Sequence, residues 1–374
     1  MEFQLSEERR LIQETVRKIV QKEIAPRASE IDQTHSFPWA NLKTLAEAGH
    51  LGINIPMLLG GSGGDRFSFV LVTEEIARAC ASTALIFVSH TFAGQGILVA
   101  GTEEQRKKYL PLLATGEKIG AFAVHEPNSG CLHTAIETKA TLREDSYQVN
   151  GSKIFTTSGG EAQIYLVLTV TDKSKGPQGI SMLIIEKGTP GFQFGKIHER
   201  MGVNGTSSCD LIFEDCRVPK ENLLGEEGNG LQVLGSIVGG LVMYGAAAIP
   251  LGIAAAALDA SIKHARQRMI AGKSIGSHQA IQFLIAEMSL GVDSARALLY
   301  SSMAGTPMDA MKAKWYTSEM AQEVTHKALQ IHGGHGYCRD LPVERYYRDV
   351  RVFTLHFKTT ELIKEDIGKS LLGL

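Results

Sequence analysis

Residues 139–157 read KATLREDSYQVNGSKIFTT. Ala140 and Leu142 alternate with polar neighbours, and Tyr147 and Val149 repeat the pattern beyond a short turn. Successive side chains of a strand point to opposite faces, so this spacing predicts two strands joined tightly. Further strands are expected in AQIYLVLTVTD (162–172), GISMLIIEK (179–187) and SSCDLIFEDCRVP (207–219). Asn150-Gly151, Gly159-Gly160, Lys175-Gly176-Pro177 and Pro190-Gly191 punctuate them as turns. The result is a compact antiparallel β unit over residues 121–226.

On both sides of that unit the apolar period lengthens to that of a helix. Residues 1–120 read as a helical unit. FPWANLKTLAEAGHLGI (37–53) has Pro38 near its start and Gly49 near its end, and residues 68–101 form a long apolar stretch suited to the centre of a bundle. Residues 227–374 hold three long helical stretches and a shorter fourth. Helices, a β unit and then helices again, without βαβ alternation, exclude a doubly wound nucleotide-binding sheet.

Composition narrows the function. The 374 residues are 44% hydrophobic and 21% charged, as in a soluble globular protein with a full core. A net charge of −2 and the lack of long basic blocks argue against nucleic-acid binding. The longest apolar run, GLVMYGAAAIPLGIAAAALDA (240–260), contains Pro250 and many small residues, so it reads as a packed internal helix and not a membrane span. Cys80, Cys131, Cys209, Cys216 and Cys338 contain no CxxC pair, which fits free thiols in the cytoplasm and no metal site. The N-terminal MEFQLSEERR lacks the apolar core of a signal peptide.

Four stretches carry glycines beside hydroxyls or cations: AFAVHEPNSGC (121–131), KIFTTSGG (153–160), RQRMIAGKSIGSHQAIQF (266–283) and QIHGGHGY (330–337). Backbone N–H groups in such turns suit a phosphate or a planar ring, although each alone is ordinary turn chemistry. In this order, and with MGVNGTSSCDLIFEDCRVPKENLLGEEGNG (201–230) and TTELI (359–363), they make the sequence resemble the acyl-CoA dehydrogenase family of flavoproteins over most of its length. The resemblance implies an N-terminal helical domain, a middle β-barrel-like domain and a C-terminal four-helix bundle. It also implies FAD as cofactor, an acyl thioester of CoA or of an acyl carrier protein as substrate, a homodimer or homotetramer, and an electron-transferring flavoprotein or an active paralogue as further partner.

By position, the resemblance places the flavin ring against Phe155, Thr156 and Thr157. Arg268 and Gln279 would hold the pyrophosphate and ribose of a neighbouring subunit's FAD, with Gln330, Gly333, Gly334, Thr359 and Glu361 close to its adenosine end. The substrate side departs from the family. Its usual catalytic glutamate corresponds to Phe357, and the alternative base position to Val242. Neither side chain accepts a proton. Two polar substrate contacts become Gly240 and Met243, a serine becomes Cys131 and a threonine becomes His125, while on the flavin side a phenylalanine becomes Ala271.

His125 leads the replacement candidates for a base, ahead of His90, His356, Tyr244 and Cys131, although the resemblance puts it on the flavin side of the substrate, opposite the usual base; a lone histidine is more often structural than catalytic. Three functions are therefore expected to compete. One is an acyl-thioester oxidoreductase with non-standard chemistry. Another is a desulfinase- or decarboxylase-type lyase, and the third is an inactive partner subunit. Under each, Phe357 makes the pocket less polar and suits it to a small or flat acyl group.

Overall fold

The computed structural model describes residues 5–374; residues 1–4 of the expected helical unit lie outside the described residues. The first helices are α1 (Glu7–Ile19), α2 (Ala28–Thr34), α3 (Trp39–Glu47), α4 (Arg66–Ala79), α5 (Ala81–Ala100) and α6 (Glu103–Ala114). Ser6 caps α1 by accepting from Arg9 N–H, and Thr102 with Gln105 forms a reciprocal capping box on α6. The long apolar stretch is two helices, because Cys80 is extended and breaks it. Both helices are buried on nearly every side, which explains why no polar face marks the break.

The strands are β1 (Gly120–Ala123), β2 (Lys139–Arg143), β3 (Ser146–Thr157), β4 (Ile164–Val170), β5 (Ile180–Glu186), β6 (Phe192–Ile197), β7 (Ser208–Pro219) and β8 (Leu223–Leu224). Their order is β6-β7-β3-β2-β4-β5-β8, with β1 added on β4. The expectation of an antiparallel barrel is corrected in two respects. β1 and the start of β2 pair with β4 in parallel, and β6 and β8 do not meet, so the sheet stays open. β1 arrives from the helical unit in the direction of β4, and that direction makes the pairing parallel.

Helices resume with α7 (Gly230–Ile237), a π-helical turn over 238–242 and α8 (Met243–Gln267). The hairpin β9 (Met269–Ile270) and β10 (Lys273–Ser274) leads to α9 (Gln279–Ser302), α10 (Pro307–His332), α11 (Gly334–Tyr337), α12 (Val343–Val350) and α13 (Thr360–Leu372). The most apolar window of 230–267 is 94% buried, so its hydropathy serves the protein interior. Gly252 shows how tightly: a Cβ there would lie 2.3 Å from the Glu74 carbonyl oxygen on α4.

One buried cluster ties the three parts together. Asp32 of α2 accepts from Arg348 of α12 and from Asn204 between β6 and β7, while Asp349 accepts from Val203 N–H. Burial pushes the Asp32 carboxyl up, but the Arg348 guanidinium outweighs it and holds the group below the usual range. This junction fixes how the helical units approach the sheet, and so shapes the cavity between them.

Candidate active site

The first wall of that cavity is the loop after β1. Glu126 is buried and its oxygens accept from the N–H groups of Glu137 (2.6 Å) and Thr138 (3.0 Å) and from Lys153 Nζ (2.6 Å). Burial pushes its carboxyl up, but the Lys153 ammonium and these donors hold it low. The charged pair pins the loop to β3 and leaves His125, just before it, facing the cavity. His125 Nδ1 lies 3.0 Å from the Gly130 carbonyl oxygen. A carbonyl only accepts, so Nδ1 carries the hydrogen and Nε2 keeps the lone pair.

The second wall is the end of β3. Its register with β7 slips between Lys153 and Thr156, and Phe155 takes a left-handed φ of 53°. The bulge turns Phe155 outward, 57% exposed at the cavity, while Thr157 also lines it. Thr156 Oγ1 and Ser158 Oγ are buried beside this bend without hydrogen-bond partners.

Residues 351–359 form the third wall. Lys358 N–H donates to the His356 carbonyl oxygen at 2.8 Å across Phe357, whose φ is 63°. That is a γ-turn of the rare left-handed kind, strained for a bulky residue by roughly 1–3 kcal/mol. Buried Lys314 of α10 holds the turn by donating from Nζ to the Lys358 carbonyl oxygen at 2.8 Å. The Phe357 ring is thereby set 6.4 Å from Phe122, 6.1 Å from His125 and 5.9 Å from His133, between ring centres. Thr359 caps α13 by accepting from Leu362 N–H.

Together these walls enclose about 450 Å³, closed further by Phe92 of α5 and by Ile154. Among the described residues, no carboxylate lines the space. Burial lowers the basicity of the imidazoles around it. His133 is pushed down to about 4, with His125 and Lys358 adding to the effect, and His356 to about 3, with Lys314 adding. Burial lowers His125 as well, partly offset by the Gly130 carbonyl. Near neutral pH all three are uncharged acceptors.

Of the residues singled out in the sequence, His125, Cys131, Phe155, Thr157, His356 and Phe357 meet at this cavity. His90 does not line it; its Nδ1 accepts from Gly120 N–H at 3.1 Å within the helical core. Gly240, Val242 and Met243 belong to the π-turn and the start of α8, also away from the lining. Tyr244 is buried there too, donating to the Ser302 carbonyl and lying under Arg66. Arg268, Gln279, Gln330, Gly333 and Gly334 are exposed elsewhere on the C-terminal helices, and Glu361 is exposed at the start of α13. His133 and Lys314 escaped the sequence reading. His133 had a signal, eight residues after His125 in one loop, whereas Lys314 sits in a helical pattern where a lysine ordinarily means solvent.

The sequence pattern of "Acyl-CoA dehydrogenase, N-terminal domain" matches residues 6–117, that of the middle domain 121–216, and that of the C-terminal domain 244–372. The short-chain specific acyl-CoA dehydrogenase of Clostridium acetobutylicum is 40% identical over 372 residues, covering 97% of this chain and 98% of its own. A chain in a structure reported for the electron transferring flavoprotein of Acidaminococcus fermentans superposes with a TM-score of 0.96 at 39% identity, covering both chains fully. An acyl-CoA dehydrogenase complexed with FAD from Bacillus anthracis gives 0.91 at 30%, covering 98% of this chain and 67% of that one. This chain belongs to the acyl-CoA dehydrogenase family.

Proposed function

We propose that the protein is an FAD-dependent oxidoreductase of acyl thioesters whose proton chemistry departs from a glutamate-based scheme. The observation that carries this reading is the convergence of the β1 loop, the β3 bulge and the Phe357 turn on one enclosed cavity. Its residues fit a flavin ring. Phe122 and Phe155 offer flat apolar surface, Thr157 offers a hydroxyl, and the unpartnered Thr156 and Ser158 hydroxyls lie beside the bend. When bound, FAD supplies a two-electron acceptor for a hydride.

The chain's own residues set the rest. Phe357 excludes water and narrows the space for the acyl group, favouring a small or flat one on CoA or on a carrier-protein arm. Exposed Met269, Ile270 and Phe283 flank Arg268 and Gln279, which supports a homo-oligomer in which these residues complete a neighbour's cofactor site. Likeness to a chain from an electron transferring flavoprotein structure supports such a flavoprotein as electron partner. Unpaired thiols at all five cysteines support the cytoplasm as location.

The test is the visible spectrum of purified protein, recorded anaerobically while acyl-CoA thioesters of different shape are added. A yellow protein bleached by at least one thioester is expected. A colourless protein that does not take up added FAD overturns the reading, and release of sulfite or CO₂ with the flavin still oxidised replaces it with a lyase.

A further inference from the structure

We propose that His125 is the proton-transferring residue of this site, with Nε2 the atom that takes the proton from the carbon beside the thioester carbonyl. The inference rests on the acyl-thioester reading above and adds the group that performs its acid–base step. Three observations on the structure carry it. No carboxylate lines the cavity among the described residues, so a proton acceptor there must be another group. His125 lines the cavity, and its Nδ1–H is committed to the Gly130 carbonyl at 3.0 Å, which fixes the tautomer and leaves Nε2 as the acceptor. The ring also stands edge-on to Phe357 at 6.1 Å, so a group lying against that phenyl reaches the imidazole.

The other candidates in the cluster are less well placed. His133 Nε2 is buried without a partner, and its side chain lies outside the lining. His356 reaches the lining, but its Nδ1 is likewise buried and its basicity falls to about 3. Lys314 is wholly buried and engaged with the Lys358 carbonyl. Glu126 and Lys153 hold the loop in place through each other, which makes them positioning residues for His125.

The step balances within the site. The C–H bond beside the carbonyl breaks, its electron pair moves onto the carbonyl oxygen as an enolate, and an N–H bond forms at Nε2. Exchange of that proton with solvent and its return to carbon complete a cycle with no net oxidation. This cycle gives a readout separate from flavin turnover: deuterium incorporation next to the carbonyl of butyryl-CoA or 3-phenylpropionyl-CoA in D₂O.

A base must be uncharged to act, so exchange should rise with pH through the His125 titration and level off by neutrality. Burial sets that titration below the ordinary 6.5. The charged or titratable groups around His125 are Lys153 on β3, His133 and Cys131 in its own loop, Arg200 in the same cavity lining, and His356, which itself faces Lys314. FAD content and the spectral change on thioester binding are measured alongside.

His125→Gln is expected to keep both and to lose exchange by about 10²-fold, a usual contribution of a positioned acid–base group. The pH inflection should vanish with it. Free imidazole should restore exchange to His125→Gly, a recovery that a structural role does not give. Exchange unchanged in His125→Gln, or thioester binding to the native protein without exchange, overturns the assignment and leaves the flavin and thioester reading standing. Failure of every thioester to perturb the bound flavin overturns both.

Discussion

Phe357 combines a conformational penalty with a packing gain. Its φ of 63° is one that L-residues with a Cβ enter at a cost of about 1–3 kcal/mol. The ring recovers that cost by being buried against Phe122, His125 and His133. Two substitutions separate the terms. Phe357→Ala loses the ring and keeps the strain, so it should destabilise the protein. Phe357→Gly loses the ring and relieves the strain, and should be more stable than the alanine variant by about 1 kcal/mol. Glycine is normally the less stable of the two, so urea unfolding that ranks alanine first contradicts the left-handed turn. The residue type was visible in the sequence. The γ-turn was not, because nothing local to Leu355-His356-Phe357-Lys358 requires a positive φ.

Among elements, α10 holds the third wall of the site. Its Lys314 buries an ammonium whose hydrogen bond goes to a backbone carbonyl of the Phe357 turn. Burial lowers this lysine from 10.5 to about 8. Between those values the unfolded chain binds the proton and the folded chain does not, so folded stability from this group increases as pH rises. Relative to Lys314→Met, the native protein should therefore gain up to about 3 kcal/mol between neutral pH and pH about 10. Urea midpoints of both proteins across that range provide the check, and parallel curves would contradict it. The same variant frees the Lys358 carbonyl and should loosen thioester binding. Elements were legible to different degrees. The strand stretches carried through to the structure, but of β2 to β5 only β2 and β3 keep an alternating face; β4 and β5 are buried on both sides, so their pattern is a continuous apolar run. The α4–α5 break has neither glycine nor proline to announce it.

For the whole molecule, the open question posed by the surface is what covers the C-terminal helices. Phe283 is 58% exposed and lies one helical turn from Gln279, on the same face of α9. Met269 and Ile270, next to Arg268 in the chain, are exposed as well. The homo-oligomer proposed above would bury these residues and carry Arg268 and Gln279 to a neighbour. Phe283→Asp should then shift the protein to smaller species in sedimentation and weaken FAD retention together, while leaving the monomer fold intact. FAD bound equally well by the dissociated variant would show that each chain completes its own site.

Read alone, the sequence determined the succession of helical, β and helical parts, and the family resemblance implied that Phe357 stands where a carboxylate is usual. Both follow from local information: side-chain periodicity, turn residues and the identity at a matched position. Tertiary structure decided that the sheet stays open, that Gly130 fixes the His125 tautomer and that a buried Lys314 holds the Phe357 turn. The first and third depend on groups brought together from separate elements, and the second on how one loop folds back on itself, and pattern along the chain carries none of these.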